Sequence, residues 1–293
     1  MKKYILFAFA FLLAFTIVAQ KNKNNYTFAS QINVMTFNLR YDGPNDGENS
    51  WVHRKDGVTK TILLNNVDIL GAQEVLHNQL MDLEKALPDY TWIGVGREDG
   101  IEKGEYSPIF YNHNKFTEIG SGYFWLSQTP FAAGSKGWDA ACERIATWAK
   151  LKDNASGIVF FVLNTHFDHI GQVAREESVK LILDKINLYT RKQKLPTLVL
   201  GDFNATPTST VVKMITDKTN PLHLTDARLA APKVSGPAWS FHDFGRVPVA
   251  KRELIDYVFV RNNVNVLLYE VIDNTKGGTY TSDHCAVVVK VKI

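Results

Sequence analysis

The run Thr197-Leu198-Val199-Leu200-Gly201-Asp202-Phe203-Asn204 is an apolar strand segment that stops at a glycine and delivers a carboxylate and a carboxamide at its carboxyl end. Residues two apart on a strand point the same way, so Asp202 and Asn204 are expected to address one small volume. The pattern recurs. Ile158 to Leu163 leads into Asn164-Thr165-His166-Phe167-Asp168, Ile69 to Ala72 into Gln73-Glu74, and Ile32 to Phe37 into Asn38. Ser282-Asp283-His284 opens the apolar run Ala286 to Val289. An Asp or Asn at a strand end is commonly a cap or turn residue, and such caps are expected one at a time. Several acids, amides and imidazoles ending buried strands together point to a site that holds a divalent cation and hydrolyses a phosphate ester.

Each residue type has a place in that chemistry. Glu74 is a hard oxygen ligand, and Asn38 and Asp283 would complete an open Mg²⁺ or Mn²⁺ site with positions left for water and a phosphate oxygen. Asp202 would orient and deprotonate a water, and Asn204 would donate to phosphoryl oxygens. His166 and His284 titrate nearest neutrality and are suited to moving protons or stabilising the transition state. Asp256, which leads into Tyr257-Val258-Phe259-Val260, would fix a histidine tautomer. Arg144 would clamp a phosphate bidentately.

The elements that must carry these residues alternate along the chain. Strand patterns cover residues 32–41, 69–74, 90–96, 107–111, 145–151, 158–166, 198–204, 254–260 and 285–291. Leu76, Leu80, Leu83 and Leu87 recur at helical spacing, as do Val179, Ile182, Ile186 and Tyr189, and Val58 and Ile62 predict a further helix after Trp51. Several strands are apolar on both faces, while Thr147-Trp148-Ala149 and Tyr257-Val258-Phe259 read as half-covered. The expected fold is therefore α/β, with two packed mixed β-sheets flanked by helices. Residues 41–50, 97–106, 127–143 and 232–252 read as loops rimming the site.

A chain of 293 residues, 45% of them hydrophobic, can bury one large core without division into domains. Lys2-Lys3, the apolar run Tyr4 to Val18 and the Ala19-Gln20 junction have the form of a secretory signal over residues 1–19. The apolar run, roughly 15 residues, is shorter than a membrane-spanning helix needs. Residues 20–293 are then a single domain working in the periplasm or outside the cell, without a stable membrane span. Without Lys2 and Lys3 the chain carries 31 basic against 30 acidic residues, which is no electrostatic footprint for duplex nucleic acid. Cys142 and Cys285 lie in strand-like runs and are either a disulfide pair or two buried thiols.

The ordered set Met35-Thr36-Phe37-Asn38, Gln73-Glu74, Asn164-Thr165-His166, Gly201-Asp202-Phe203-Asn204, Ile255-Asp256-Tyr257 and Ser282-Asp283-His284 resembles the endonuclease/exonuclease/phosphatase superfamily with its deoxyribonuclease-like fold. The resemblance spans almost all of residues 20–293. It implies a four-layer α/β sandwich and metal-dependent phosphoester hydrolysis. It casts Asn38 and Glu74 as metal ligands, His166 as the active-site imidazole, Asp202 as the water-activating acid and Asn204 as a transition-state donor. Asp256 becomes the buried orienting carboxylate, and Asp283 with His284 the closing metal and phosphate pair; Asp202, Asn204 and His284 are alternatively assigned a second metal. Abasic-site nucleases of the family usually place an Asp two residues after the first Asn, where this chain has Arg40. The stretch from Arg40 to Trp51 and the run Gly137-Trp138-Asp139 are similar to a secreted bacterial branch. Trp138 and His242, with Trp51 and Trp239, are candidate substrate-wall residues against core packing as the alternative.

The expected protein is a monomeric, secreted, metal-dependent phosphodiesterase or phosphatase acting on a small or lipid-derived phosphoester. An extracellular nuclease with the same site and a non-catalytic binding module of the same fold are the competing readings.

Overall fold

A computed structural model describes residues 30–275 and 280–293; the leader expected over residues 1–19 lies outside the described residues. In chain order the strands are β1 (Gln31–Asn38), β2 (Ile69–Gln73), β3 (Tyr90–Ile93), β4 (Ile109–Asn112), β5 (Phe116–Trp125), β6 (Ile145–Asp153), β7 (Val159–His166), β8 (Thr197–Asp202), β9 (Thr225–Asp226), β10 (Val234–Ser235), β11 (Asp256–Arg261), β12 (Asn265–Val271) and β13 (Val287–Lys292). The helices are α1 (Trp51–Leu64), α2 (His77–Ala86), α3 (Gln172–Thr190), α4 (Thr210–Thr216) and α5 (Ala227–Ala230).

The strands form a seven-stranded sheet in the order β10-β12-β13-β1-β2-β4-β3 and a six-stranded sheet in the order β5-β6-β7-β8-β11-β9. Both are mixed. β1 runs parallel to β2, and β7 parallel to β8, whereas β13 pairs with β1, and β11 with β8, in antiparallel fashion. Because strand side chains alternate between faces, each central strand feeds two cores. Val34, Ile69, Val162, Leu200, Val258 and Val289 fill the space between the sheets. Met35, Leu70 and Val288 face the other way, onto Val58 and Ile62 of α1 and Leu80 and Leu83 of α2. Leu163, Val199 and Phe259 meet Val179, Ile182 and Ile186 of α3. Helix, sheet, sheet, helix is the expected four-layer sandwich.

Covering on both faces explains the continuous apolar runs and corrects one expectation. Tyr257-Val258-Phe259 is not half-covered: Val258 faces the inter-sheet core, while Tyr257 and Phe259 are buried on the helix side. Besides the two-residue β9 and β10, two longer strands escape periodicity. β5 is an edge strand carrying Gly120 and Gly122, with an irregular register between Glu118 and Gly120. β12 alternates around a shift between Val266 and Leu268. Cys142 and Cys285 are both free thiols, so the disulfide alternative is not realised.

Asn164, a strand-end amide in sequence, ties the sheets together. Its Nδ2 donates to the carbonyls of Ala72 (2.7 Å) and Pro108 (2.9 Å), and its Oδ1 accepts from Gln73 Nε2 (2.7 Å). Gly71 permits the approach, since a Cβ there would lie 2.7 Å from Asn164 Oδ1. Asn164→Leu would take the side-chain donor from the buried Ala72 carbonyl and one bond each from the Pro108 carbonyl and the Gln73 amide, which keep other partners; an unpaired buried group costs about 1–3 kcal/mol. We expect a total loss of about 3 kcal/mol, read as a lower denaturant midpoint at unchanged m-value. An unchanged midpoint would show that the bridge does not hold the sheets.

Candidate active site

Strand register brings the reactive set together. His166 at the end of β7 lies beside Asp202 in the parallel ladder, and Asp256 at the start of β11 lies beside Asp202 on its other side. Two further ends turn through left-handed backbone, an uncommon conformation for non-glycine residues: Glu74 follows β2 at φ 58° and Asn204 follows β8 at φ 45°. Asn204 therefore reaches the site by a turn rather than by strand alternation, its N–H donating to Asp202 Oδ1 at 2.9 Å. These ends open on a cleft of about 520 Å³ lined by Glu74, Arg144, His166, Asp202, Asn204, Asp283 and His284.

Asp202 is 1% exposed. Burial, reinforced by the Asp256 charge, pushes its carboxyl up to about 7, against the opposing pull of His284. Asn38 Nδ2 donates to its Oδ2 at 3.0 Å, with His166 Nε2 at 3.6 Å and His284 Nε2 at 3.8 Å from the same oxygen.

The two histidines are driven in opposite directions. Burial would discharge His284, but the Asp256 charge and hydrogen bond (Nδ1 to Oδ2, 2.8 Å), with Asp283 and Asp202, raise it to about 10. Burial, then Arg144 and Arg97, hold His166 well below the usual imidazole range. Asn204 Nδ2 donates to the Phe167 carbonyl, which sets the amide orientation and directs its other N–H at His166 Nε2 (3.0 Å). Nε2 thus accepts, and the single imidazole proton of His166 resides on Nδ1. That Nδ1 is buried without a hydrogen-bond partner among the described residues, Glu105 Oε2 being 3.8 Å away.

His284 gives a stability test. Its folded pKa lies above the unfolded value near 6.5, so its contribution is complete below the latter and is lost as pH rises through about 10. We expect the melting temperature of metal-free protein to fall between pH 7 and pH 10, and this slope to flatten in Asp256→Asn, which lacks the charge that holds the proton. Equal slopes in the two proteins would contradict the assignment.

Glu74 and Asp283 form the oxygen-rich side. Burial, with the nearby Glu74 charge, raises Asp283 to about 6, while His284 opposes. Arg40 lies between them, 3.9 Å from Glu74 and 4.0 Å from Asp283, while its guanidinium grips Asp46 through two 3.1 Å bonds. Carboxylates without a nitrogen donor fit Mg²⁺ or Mn²⁺. Asn38 differs from the expected ligand geometry: its Oδ1 accepts the Arg40 N–H at 2.9 Å, and its amide nitrogen, not its oxygen, faces Glu74 Oε1 and Asp202. Asp202, Asp256 and His284 also offer donor atoms within 4.8 Å of one another. A doubly protonated imidazole has no lone pair to give, so the Glu74–Asp283 side suits a cation better.

Arg144 is 4% exposed. Nε lies 3.4 Å from Asp168 Oδ2, Nη2 bonds His169 Nδ1 at 2.9 Å, and Nη1 is buried without a partner among the described residues. Although burial opposes it, the N–H groups of Gly171, Ala141 and Ile170, together with Arg144, hold Asp168 well below the usual carboxylate range. Asp168 thus braces a guanidinium that keeps one donor free on the cleft wall, which is an anion-binding arrangement.

Other expected site residues fall elsewhere. Trp138 does not line the cleft, and its neighbour Asp139 caps α3, accepting from the N–H groups of Val173 (3.2 Å) and Ala174 (2.7 Å). His242 is fully buried behind the wall, its Nε2 2.9 Å from Asn274 Oδ1 and its Nδ1 accepting from Gly245 N–H. Its neighbours Phe241 and Asp243 face the cleft instead, as do Arg97 and Glu105, which form a bidentate pair at 2.7 and 2.8 Å. The only sequence signal for these four is their position in stretches read as rim loops.

Comparison with known proteins places the chain. Residues 35–284 match the model of the Endonuclease/Exonuclease/phosphatase family. A Bacteroides vulgatus endonuclease/exonuclease/phosphatase structure is similar at 43% identity and TM-score 0.86, covering 90% of this chain and 99% of that one. A Bacteroides thetaiotaomicron mannosyl-6-phosphatase is similar at 34% identity and TM-score 0.83, with 89% and 99% covered. The human Nocturnin catalytic domain shares the fold at 21% identity and TM-score 0.69, with 90% and 97% covered. No curated protein matches the chain.

Proposed function

Because the chain belongs to the endonuclease/exonuclease/phosphatase family, whose members are phosphoester hydrolases, we propose that it is a metal-dependent hydrolase of a compact phosphoester. The observation that carries this reading is the buried Asp202 carboxylate with Nε2 of His166 and of His284 at 3.6 and 3.8 Å from its Oδ2, the first imidazole pushed below its ordinary pKa and the second above it. Neighbouring groups with separated protonation states are what acid–base chemistry requires.

In this reading Asp202, once ionised, orients a water and takes its proton. Neutral His166 holds Nε2 beside Asp202, 3.6 Å from Oδ2, and Asn204 acts through His166 by fixing the tautomer. Charged His284, oriented by Asp256, and the free Nη1 of Arg144 face the phosphoryl oxygens. Glu74, steadied by Asn38, and Asp283 would hold Mg²⁺ or Mn²⁺, which when bound neutralises charge developing on the phosphoryl group. We propose further that residues 1–19 act as a secretory leader and that the hydrolase works as a monomer in the periplasm or outside the cell. A nearly neutral chain and a relative that is a mannosyl-6-phosphatase favour a sugar phosphate monoester over a polynucleotide.

The test is hydrolysis by purified residues 20–293, with Mg²⁺ and with Mn²⁺, of sugar phosphates, nucleotides, phospholipids, DNA and RNA. Turnover fastest on a small phosphoester supports the proposal. DNA or RNA cleavage far above every small substrate, with a steep salt dependence, would replace it with the nuclease reading.

A further inference from the structure

Beneath the loop on the Asp283 side of the cleft the backbone is strained. Asp243 (φ 49°), Phe244 (φ 49°) and Gly245 (φ 81°) are three successive residues in the left-handed region. For the two non-glycine residues this conformation is costly and persists only where the surroundings over-determine it. The surroundings do so here. The N–H groups of His242 and Asp243 both donate to the Asp283 carbonyl, at 3.0 and 3.1 Å. Buried His242 accepts from Gly245 N–H, and a Cβ at Gly245 would lie 2.0 Å from the Tyr280 hydroxyl. The result is a rigid corner presenting the two residues on either side of His242, Phe241 and Asp243, to the cleft. The corner is joined to the reacting end, because Phe241 pairs with His284 in a β-bridge and their ring centroids are 5.0 Å apart.

Resting on the hydrolase reading, we infer that the Phe241–Gly245 corner is the subsite for the leaving group, and that this group is a compact polyhydroxylated alcohol. A cleft of about 520 Å³ has room for more than a phosphoryl group. The Asp243 carboxylate has about four lone-pair positions. Arg246 occupies two of its directions, at 2.6 and 3.1 Å, leaving acceptor capacity for hydroxyl donors. Phe241 offers a ring for the C–H face of such a molecule. Among the described residues the cleft wall on this side carries only Phe241 and Ile255 as apolar side chains, which disfavours an acyl chain.

The experiment compares kcat/KM for a hexose 6-phosphate with that for n-hexyl phosphate, which carries the same charge without the hydroxyls. Asp243→Asn keeps a residue that tolerates left-handed backbone and removes the charged acceptor. Its preference for the hexose ester should fall by about tenfold or more, the worth of a hydrogen bond to a charged group. Phe241→Leu, outside the strained turn, should lower the same ratio. Arg246→Ala, which removes the exposed partner and leaves the carboxylate, should retain the preference. A wild type that hydrolyses neither ester with Mg²⁺ or Mn²⁺ overturns the hydrolase reading and the subsite with it. A wild type that prefers the hexose ester and an Asp243→Asn protein with the same preference overturn the subsite alone.

Discussion

Replacing Asp202 with asparagine is expected to lower kcat by about 10²–10⁴, the range typical of a positioned acid–base group, while leaving the fold intact or more stable. The catalytic half follows from position: Asp202 Oδ2 sits among Asn38, His166 and His284 at the cleft floor, and an amide cannot take a proton from water. The stability half follows from electrostatics. Burial and the Asp256 charge raise Asp202 to about 7, so near neutrality and above, the ionised carboxylate is costly to the folded state. A neutral isostere removes that cost. Sign matters here: a carboxyl raised in the folded protein weakens folding as pH climbs through its unfolded pKa toward its folded one. Metal-free Asp202→Asn should therefore melt higher than metal-free wild type at pH 8, with the difference shrinking towards pH 4. Circular dichroism melts and steady-state rates on the same preparations test both halves. Near-normal turnover would remove Asp202 from the proposed chemistry.

Glu74→Gln is expected to cost several kcal/mol of transition-state stabilisation, equivalent to a rate loss of about a thousandfold, and a chelator should reproduce the loss in the wild type. Glu74 and Asp283 are the carboxylates on the side of the cleft that suits a hard cation, with Arg40 4.0 Å or less from each. Removing the Glu74 charge leaves Asp283 as the remaining acid of this pair beside Arg40, a poorer site for a divalent ion. Calorimetric titration of chelated protein with Mn²⁺ gives a readout independent of turnover: Glu74→Gln should bind at least tenfold more weakly than wild type. Full activity after verified metal removal, or unchanged Mn²⁺ affinity in Glu74→Gln, would contradict the assignment.

How far the chain reveals its own site depends on which kind of interaction decides each residue. That acids, amides and imidazoles end the strands is a local fact. An apolar run long enough to be buried must stop somewhere, and Asn38, Glu74, His166 and Asp202 stand at those stops. The two-sheet sandwich was legible for the same reason, since strands apolar on both faces require cover on both faces. The set around Asp202 then follows from register, which the apolar pattern constrains strongly.

Tertiary structure alone decided the rest. Asn164 carries the same strand-end signature as its neighbours yet faces the opposite sheet, because the spacing of the two sheets, not the sequence, determines what meets its amide. His242 had the chemistry for the cleft wall, but a left-handed corner turns it inward and presents Phe241 and Asp243. Arg97 and Glu105 come from a loop without periodicity, where no pattern foretells position. Protonation is the clearest case. His166 and His284 are the same side chain in sequence, and one is held neutral while the other is held charged. Residue type supplies the ordinary pKa near neutrality; burial and the charges within a few ångströms, which only the folded chain assembles, move it in opposite directions at the two positions.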